Sequence, residues 1–453
     1  MKVKLVAQLR FLLSLFELLF GELQEIPGST LGDILVLLNT IVLSFLSVLY
    51  FYQVLLSIFS VVVRAKKYPE TDVFPTYTFV TCARNEETVI AQLITTIRAL
   101  DYPQEKINIH VVADNCTDNT AIIAAQLKAK VYTRNDLTKI GKSYALEYYF
   151  NEQKKVVPTK DFAGYIVIDT DNVLDAQFLK EVNKVYQATN AKVVATYRAS
   201  TNAGDSLWAF GTGYSFLREC CLMHKGREVL GLSSYVSGTG FFVSYEKMQE
   251  VEGWNHHLLI EDIEFSAAHV MEKGRTHYAH NAIFYDEQAV NFKSSWHQRM
   301  RWVKGLFQVS KVYTWSLFKS IFARKRTLKE RFSSYESFLF STPFPAYIIW
   351  WFILYGIGAA INLAITQDIN YFIQTYLFTL FDFLLGFYLF TTLMSLLISV
   401  SNWKRIKMHP LKKIMLPFVA FFFLLSYVPM LLIAPFVKVT WRPVKHYGLK
   451  KPL

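Results

Sequence analysis

The sequence predicts an α/β domain with a mostly parallel sheet, inserted between N-terminal and C-terminal transmembrane helices. Three observations carry this. Long uncharged runs sit at both ends of the chain, short β-rich runs alternate with helical patterns in the middle, and polar clusters follow the middle runs. Composition agrees, with 52% hydrophobic and 19% charged residues in a chain of 453. Such a balance excludes a disordered chain. The four cysteines, Cys82, Cys116, Cys220 and Cys221, have neither paired C-x-x-C nor metal-ligand spacing. That excludes a disulfide scaffold or zinc module and fits a reducing compartment.

The ends come first. Ile34 to Val63 contains no charge over 30 residues, and a bilayer core needs only about 20 helical residues. Ser337–Gln367, Phe372–Val400 and Ile414–Val437 are similar, with Asp382 the one charge among them. Arg64, Lys66 and Lys67 follow the first run, which places its C-terminal end in the cytoplasm. The connection Thr366–Asn370 has no base and is predicted outside; Lys404, Arg405, Lys407, Lys412 and Lys413 return the chain inside. Leu5–Phe20 is read as a first span, with an in-plane amphipathic helix as its alternative. Counting spans puts the C-terminus outside, yet Lys438, Arg442, Lys445, Lys450 and Lys451 belong inside. Pro417, Pro429 and Pro435 interrupt the last run, so a broken or re-entrant helix and a cytoplasmic tail are expected.

In the middle, Tyr77–Thr81, Ile109–Ala113, Val131–Thr133, Ile166–Ile168 and Val193–Thr196 read as strands. Helical periodicity through Ile90, Leu93, Ile94 and Ile97, and a helix from Lys142, separate them. Ligands of such sheets gather at the carboxyl ends of strands. There stand Ala83-Arg84-Asn85-Glu86, then Asp114-Asn115-Cys116-Thr117-Asp118, then Asp169-Thr170-Asp171. Two carboxylates two residues apart can share a hard divalent ion and leave positions for phosphate oxygens, although a solvated acidic loop has the same composition. Downstream come Ser237-Gly238-Thr239-Gly240, Glu261-Asp262 and Gln298-Arg299-Met300-Arg301-Trp302. The glycines permit close backbone approach to a ligand, or merely a turn. Asp262 opens a helix, where it is either a reactive group or a cap. Guanidinium forks suit a diphosphate, and Trp302 suits a sugar platform or a membrane-interface anchor.

Asp-x-Asp, Glu-Asp and Gln-x-x-Arg-Trp, in that order between membrane runs, resemble the membrane-embedded family 2 glycosyltransferases. That group holds the hyaluronan, chitin, cellulose and poly-N-acetylglucosamine synthases. Ala113-Asp114-Asn115-Cys116-Thr117-Asp118-Asn119-Thr120 also resembles Gram-positive capsular β-glucan synthases. The resemblance implies a GT-A type nucleotide-sugar domain. Ala83, Arg84 and Glu86 would line the uridine pocket, and Asp114 would accept from uracil. Lys142, Asp169, Asp171, Gln298, Arg299 and Arg301 would hold the nucleotide diphosphate. Asp171 would ligate Mg²⁺ or Mn²⁺. Asp262 would be the general base, with Gly238, Thr239, Glu261 and Trp302 on the acceptor side.

The implied organisation is an N-terminal membrane region 1–63, a cytoplasmic catalytic domain 64–305, amphipathic interface helices 306–336, transmembrane helices 337–437 and a basic tail 438–453. Phe436–Arg442 in that tail approximately echoes the gating loop of these synthases. The expected protein is a multi-pass enzyme of the cell membrane. It polymerises a UDP-hexose, glucose ahead of N-acetylglucosamine, into a β-linked polysaccharide that leaves through its own channel. The alternative is a non-processive enzyme making a glycolipid from a UDP-sugar and a lipid acceptor. The formal charge of +12 is no sign of a nucleic-acid partner, because the bases cluster beside the spans.

Overall fold

The computed structural model describes residues 30–440 and residue 448. The expected span Leu5–Phe20, and the tail apart from residues 438–440 and 448, lie outside the described residues. The chain forms two compact units, one built from residues up to Leu55 with Tyr347–Leu389, the other from Leu56–Ala346 with the chain from Phe390 onward.

The first unit is helical. Among the described residues, four helices are long and apolar enough to cross a membrane: Leu31–Val62, Phe344–Thr366, Ile369–Ser401 and Pro410–Ile433. Within this unit the buried Asn39 accepts from Trp351 Nε1 at 3.0 Å, and Tyr355 donates to the Thr375 carbonyl at 2.8 Å. Such bonds tie apolar helices together where the hydrophobic effect between them is weak.

The second unit contains an eight-stranded sheet. Its strands are β1 (Thr76–Ala83), β2 (Ile107–Asp114), β3 (Lys130–Arg134), β4 (Phe162–Val167), β5 (Val173–Leu174), β6 (Val193–Ser200), β7 (Phe241–Ser244) and β8 (Thr276–Asp286), in the order β3-β2-β1-β4-β7-β6-β8-β5. Pairings β1–β2, β1–β4, β2–β3 and β6–β8 are parallel; those made by β7 and β5 are antiparallel. Strand alternation divides the core in two. Phe79, Ile109, Val111 and Ile166 pack with Leu93, Ile94 and Ile97 on one face, while Val80, Val112 and Val167 pack with Leu146, Tyr149 and Phe150 on the other. Burial on both faces is why these strands read as unbroken apolar runs.

All five expected strands are present. The sequence reading did not include β5, β7 and β8, whose pairings join segments distant in sequence. The expected boundary at residue 305 falls inside one continuous helix, Phe292–Ile321, which is followed by Leu328–Ser341. The basic run Arg324–Arg331 is partly internal. Arg326 is buried and donates to the carbonyls of Val270 and Met271, capping the helix that begins at Glu261. The segment after Lys404 belongs to this unit and is broken as expected. Its pieces are Pro410–Met415, a 3₁₀ turn Leu416–Val419, Ala420–Leu425 and Val428–Ile433.

Candidate active site

The loops after β1 and β2 are built against each other. Asn85 and Asn115 take left-handed backbone conformations, which asparagine tolerates better than most residues. Asn85 Oδ1 accepts from Thr117 N at 2.8 Å, and Thr120 Oγ1 accepts from Glu86 N at 2.8 Å. Ala83 is buried beneath them, with Arg84 and Glu86 half-buried at the rim. Asp114 is buried at the end of β2, where Arg134, at the end of β3, holds it at 2.6 Å. The sequence reading did not single out Arg134, although it obeys the same strand-end rule.

Past β4, the Asp169 backbone N–H donates to Thr239 Oγ1 at 2.7 Å, and that hydroxyl donates to Asn172 at 2.7 Å. The Lys142 ammonium, at the start of its helix, bonds Asp169 and reaches the Gly238 carbonyl at 2.7 Å. Burial opposes its charge, but the carboxylates of Asp169 and Glu261 outweigh that and raise its pKa. Gly238 has φ +80°, and a side chain there would reach within 3.5 Å of the Arg198 guanidinium and 3.8 Å of the Asp262 carboxylate. The turn therefore needs glycine for its conformation, and its backbone stands in van der Waals reach of both charged groups.

Glu261 and Asp262 stand in the first turn of the helix Glu261–Met271, whose N-cap, Ile260, offers no side-chain bond. Burial, then repulsion from Asp262, raises the pKa of Glu261. Burial also raises Asp262, against the opposing pull of the Ile263 N–H, Lys142 and Arg301. Arg301 arrives because Gly305, one turn further along its helix, lies directly on Ile260 and leaves no space for a side chain. It donates to the Leu259 carbonyl at 2.9 Å. Trp302 sits edge-on to Phe216 at 5.9 Å, and the Gln298 Oε1 is buried with no hydrogen-bond partner among the described residues.

Arg299 departs from expectation. Its side chain is fully buried, lies 5.2 Å from the Trp208 ring, 4.7 Å from Phe423 and 4.8 Å from Tyr427, and bonds Ser426 and Ser295. It faces away from the cleft because a helix turns about 100° per residue, so residues 299 and 301 cannot share a face. In this structure Arg299, expected at the diphosphate, is a packed cation.

Further groups complete the cleft and were not singled out from sequence. Arg198 on β6 lies 3.4 Å from the Phe216 ring, donates to the Ser237 carbonyl at 2.7 Å and pairs with Asp286 at the end of β8. Ser237 in turn donates to Glu219 at 2.7 Å. Glu219 opens a π-helical turn, Glu219–His224, and its carboxyl is raised by burial. Such turns often accompany functional sites. Burial, countered by Arg198 and assisted by the charge of Asp171, pushes the Asp286 carboxyl up to about 6.

A family model described as glycosyltransferase like family 2 matches residues 75–305. This chain therefore belongs to that glycosyltransferase family. It is 27% identical over 239 residues to a beta-monoglucosyldiacylglycerol synthase of Nostoc sp., covering 52% of this chain and 49% of that relative. The chain thus spans about half the length of that curated relative. It is 25% identical over 342 residues to the probable glycosyltransferase YdaM of Bacillus subtilis, covering 72% of this chain and 75% of that one. A mannosyltransferase from Pyrobaculum calidifontis, solved with GDP-mannose and Mn²⁺, shares the fold at TM-score 0.53 and 15% identity, over 83% of this chain and 98% of that one.

A divalent cation is implied by this fold family, and the residues fit one. Asp286 Oδ1 is buried without a hydrogen-bond partner among the described residues. Asp171, close enough to act on it, accepts from the Glu287 N–H at 3.4 Å. Two hard oxygen donors that leave positions for phosphate suit Mg²⁺ or Mn²⁺. Among the described residues, no group of three or more His, Cys, Asp or Glu side chains is placed to hold an ion by itself.

Proposed function

We propose that this protein transfers glucose from UDP-glucose to the hydroxyl of a diacylglycerol-type membrane lipid, with inversion at the anomeric carbon. One observation carries the chemistry. The Asp262 carboxylate faces the Gly238 turn, whose carbonyl is held by the same Lys142 that bonds Asp169. A base and the cationic groups that receive a leaving diphosphate therefore meet in one cleft.

In this reading Ala83, Arg84, Glu86 and Asp114 bind the uridine, with Arg134 fixing the Asp114 carboxylate. Lys142, Asp169, Gln298 and Arg301 hold the diphosphate. Asp171 and Asp286 hold the divalent ion, which when bound neutralises charge on the leaving phosphates. Asp262 takes the proton of the acceptor hydroxyl as that oxygen bonds to C1 and the bond from C1 to the UDP oxygen breaks. A hydroxyl is a poor nucleophile at neutral pH, and a positioned base contributes about 10²–10⁴-fold. Gly238, Thr239, Glu261 and Trp302 flank the acceptor. Single displacement on an α-linked donor gives a β-glucoside.

The acceptor is argued from the relatives and the apolar helices. The Gln-x-x-Arg-Trp segment beside the membrane helices, which suggests a polysaccharide channel, serves a lipid hydroxyl equally well. The relative from Nostoc is named for a β-glucosyl diacylglycerol product. Catalysis at the cytoplasmic face of the cell membrane follows from the basic residues that border the helices. The test is product analysis with purified protein in nanodiscs containing diacylglycerol and Mg²⁺ or Mn²⁺. UDP-glucose, UDP-N-acetylglucosamine and UDP-galactose are offered singly. A single-sugar glycolipid made from UDP-glucose is expected; a long polymer, or UDP release that ignores the lipid, overturns the reading.

A further inference from the structure

We infer that His257, stacked on Tyr144, is a positioning residue that sets the separation between the Asp262 carboxylate and the Lys142 ammonium. The inference rests on the reading of Asp262 as the base and of Lys142 as a diphosphate ligand. His257 lies in the connection that leads into Glu261, and Tyr144 lies in the first turn of the helix Lys142–Gln153. Their rings are stacked, with centroids 4.9 Å apart and planes 12° from parallel. Glu147, one turn beyond Tyr144 on the same helix face, stands 3.7 Å from His257 Nε2. The Lys139 ammonium lies 5.8 Å from the Tyr144 ring.

A second ring pair shows what this one does. Trp254, three residues before His257, stacks on Phe150, six residues after Tyr144, at 6.3 Å and 17°. That pair is buried in the core, whereas Tyr144 is half-buried and His257 exposed. Six residues of helix rise about 9 Å, and three residues of extended chain reach about 10 Å. The connection therefore runs antiparallel along the helix and is pinned to it at two points. The inner pin belongs to the fold. The outer pin buries little surface, yet it lies two residues from Lys142 and five from Asp262.

Beyond His257 the connection is tied to other helices. The Leu258 N–H donates to Glu264 at 2.8 Å and the Leu259 N–H to Gln308 at 3.1 Å, while the Leu259 carbonyl accepts from Arg301 at 2.9 Å. His257 is thus where the chain passes from the helix of Lys142 to the helices that carry Asp262 and Arg301. Ile260, the N-cap, supplies no side-chain bond to hold the turn in which both carboxylates stand. The place of that turn is set by the residues before it. Displacing a reacting group by about 1 Å can cost on the order of 10²-fold in rate, so the outer pin acts on turnover more than on folding.

The test uses full-length protein in nanodiscs with UDP-glucose, diacylglycerol and Mn²⁺, with turnover read as UDP release. Wild type is compared with Asp262→Asn, His257→Ala, Tyr144→Ala, the double alanine variant and His257→Phe. His257→Ala should lower kcat by about tenfold or more. Its UDP-glucose affinity by calorimetry should stay within about twofold of wild type, and its melting temperature within about 2 °C. Tyr144→Ala should do the same, and the double variant should lose no more than either, because the two rings are halves of one contact. His257→Phe keeps a ring on Tyr144 without the imidazole nitrogens and should recover kcat to within about threefold of wild type. With Asp262→Asn inactive, the inference alone is overturned by full turnover in His257→Ala, by additive losses in the double variant, by no recovery in His257→Phe, or by a loss that tracks a lower melting temperature. Undiminished turnover in Asp262→Asn overturns the reading of the base itself, and the inference with it.

Discussion

The half of the catalytic unit formed by β1 to β4 and the half formed by β6 to β8 with the following helices present one cleft from two sides, and they are built differently. On the first side each polar group sits at a strand end, placed by parallel strands and short connections: Asp114 after β2, Asp169 and Asp171 after β4. On the second side the groups are brought together from far apart in sequence. Arg198 meets Asp286, Arg301 meets the turn before Glu261, and the buried Arg227 pairs with Glu336 at 2.9 Å. The first side has the character of a preformed nucleotide site. The second depends on the packing of helices and strands that are distant in sequence.

This difference can be broken experimentally. The largest effect is expected from the divalent ion that Asp171 and Asp286 would hold. Removing divalent metal with a chelator, or replacing Asp171 by Asn, should lower UDP release by on the order of 10²-fold or more, since the diphosphate then leaves without its counter-charge. Asp286→Asn should weaken Mn²⁺ binding, read by electron paramagnetic resonance, by about tenfold or more. Unchanged Mn²⁺ affinity would return Asp286 to a purely structural pairing with Arg198.

The two arginines of one motif separate next. Arg301→Ala should lower kcat/KM for the donor by about 10–100-fold, in the range of a lost charge-assisted contact. Arg299→Ala should leave the donor KM close to wild type but lower thermal stability, by about 2–4 kcal/mol, through the lost cation–ring and hydrogen-bond contacts. If Arg299→Ala raised the donor KM as much as Arg301→Ala, the packed role of Arg299 would be wrong.

Much of this contrast follows from what a sequence makes visible. The apolar runs of β1, β2 and β4 and the intervening helical periods are local signals, and Asp-x-Asp and Glu-Asp stand out because charge interrupts apolar runs. Arg198, Glu219 and Asp286 carry no such signal. Their partners lie 88 residues away for Arg198 and Asp286, and 18 residues away across a π-turn for Glu219 and Ser237. Arg299 shows the converse. A motif of five residues suggests two equivalent arginines, whereas helical geometry turns one into the core and the other to the cleft.

A smaller effect sharpens the second side. Glu261 and Asp262 are both raised by burial, and the charge of Asp262 further penalises ionisation of Glu261. Asp262 must be ionised to act as a base, so kcat/KM should fall as pH drops, with its midpoint above the ordinary carboxylate range. Lys142→Met removes a positive charge that holds the Asp262 pKa down and should move that acid limb to higher pH. A limb that stays in place would mean that Lys142 does not act on the base.

The most direct test of the account compares wild type and Asp262→Asn side by side, measuring UDP-glucose binding by calorimetry and lipid glucosylation by product formation. Binding should agree within about twofold while turnover falls by about 10²–10⁴-fold. Retained turnover, or donor binding lost along with it, would contradict the assignment of Asp262 as the group that activates the acceptor.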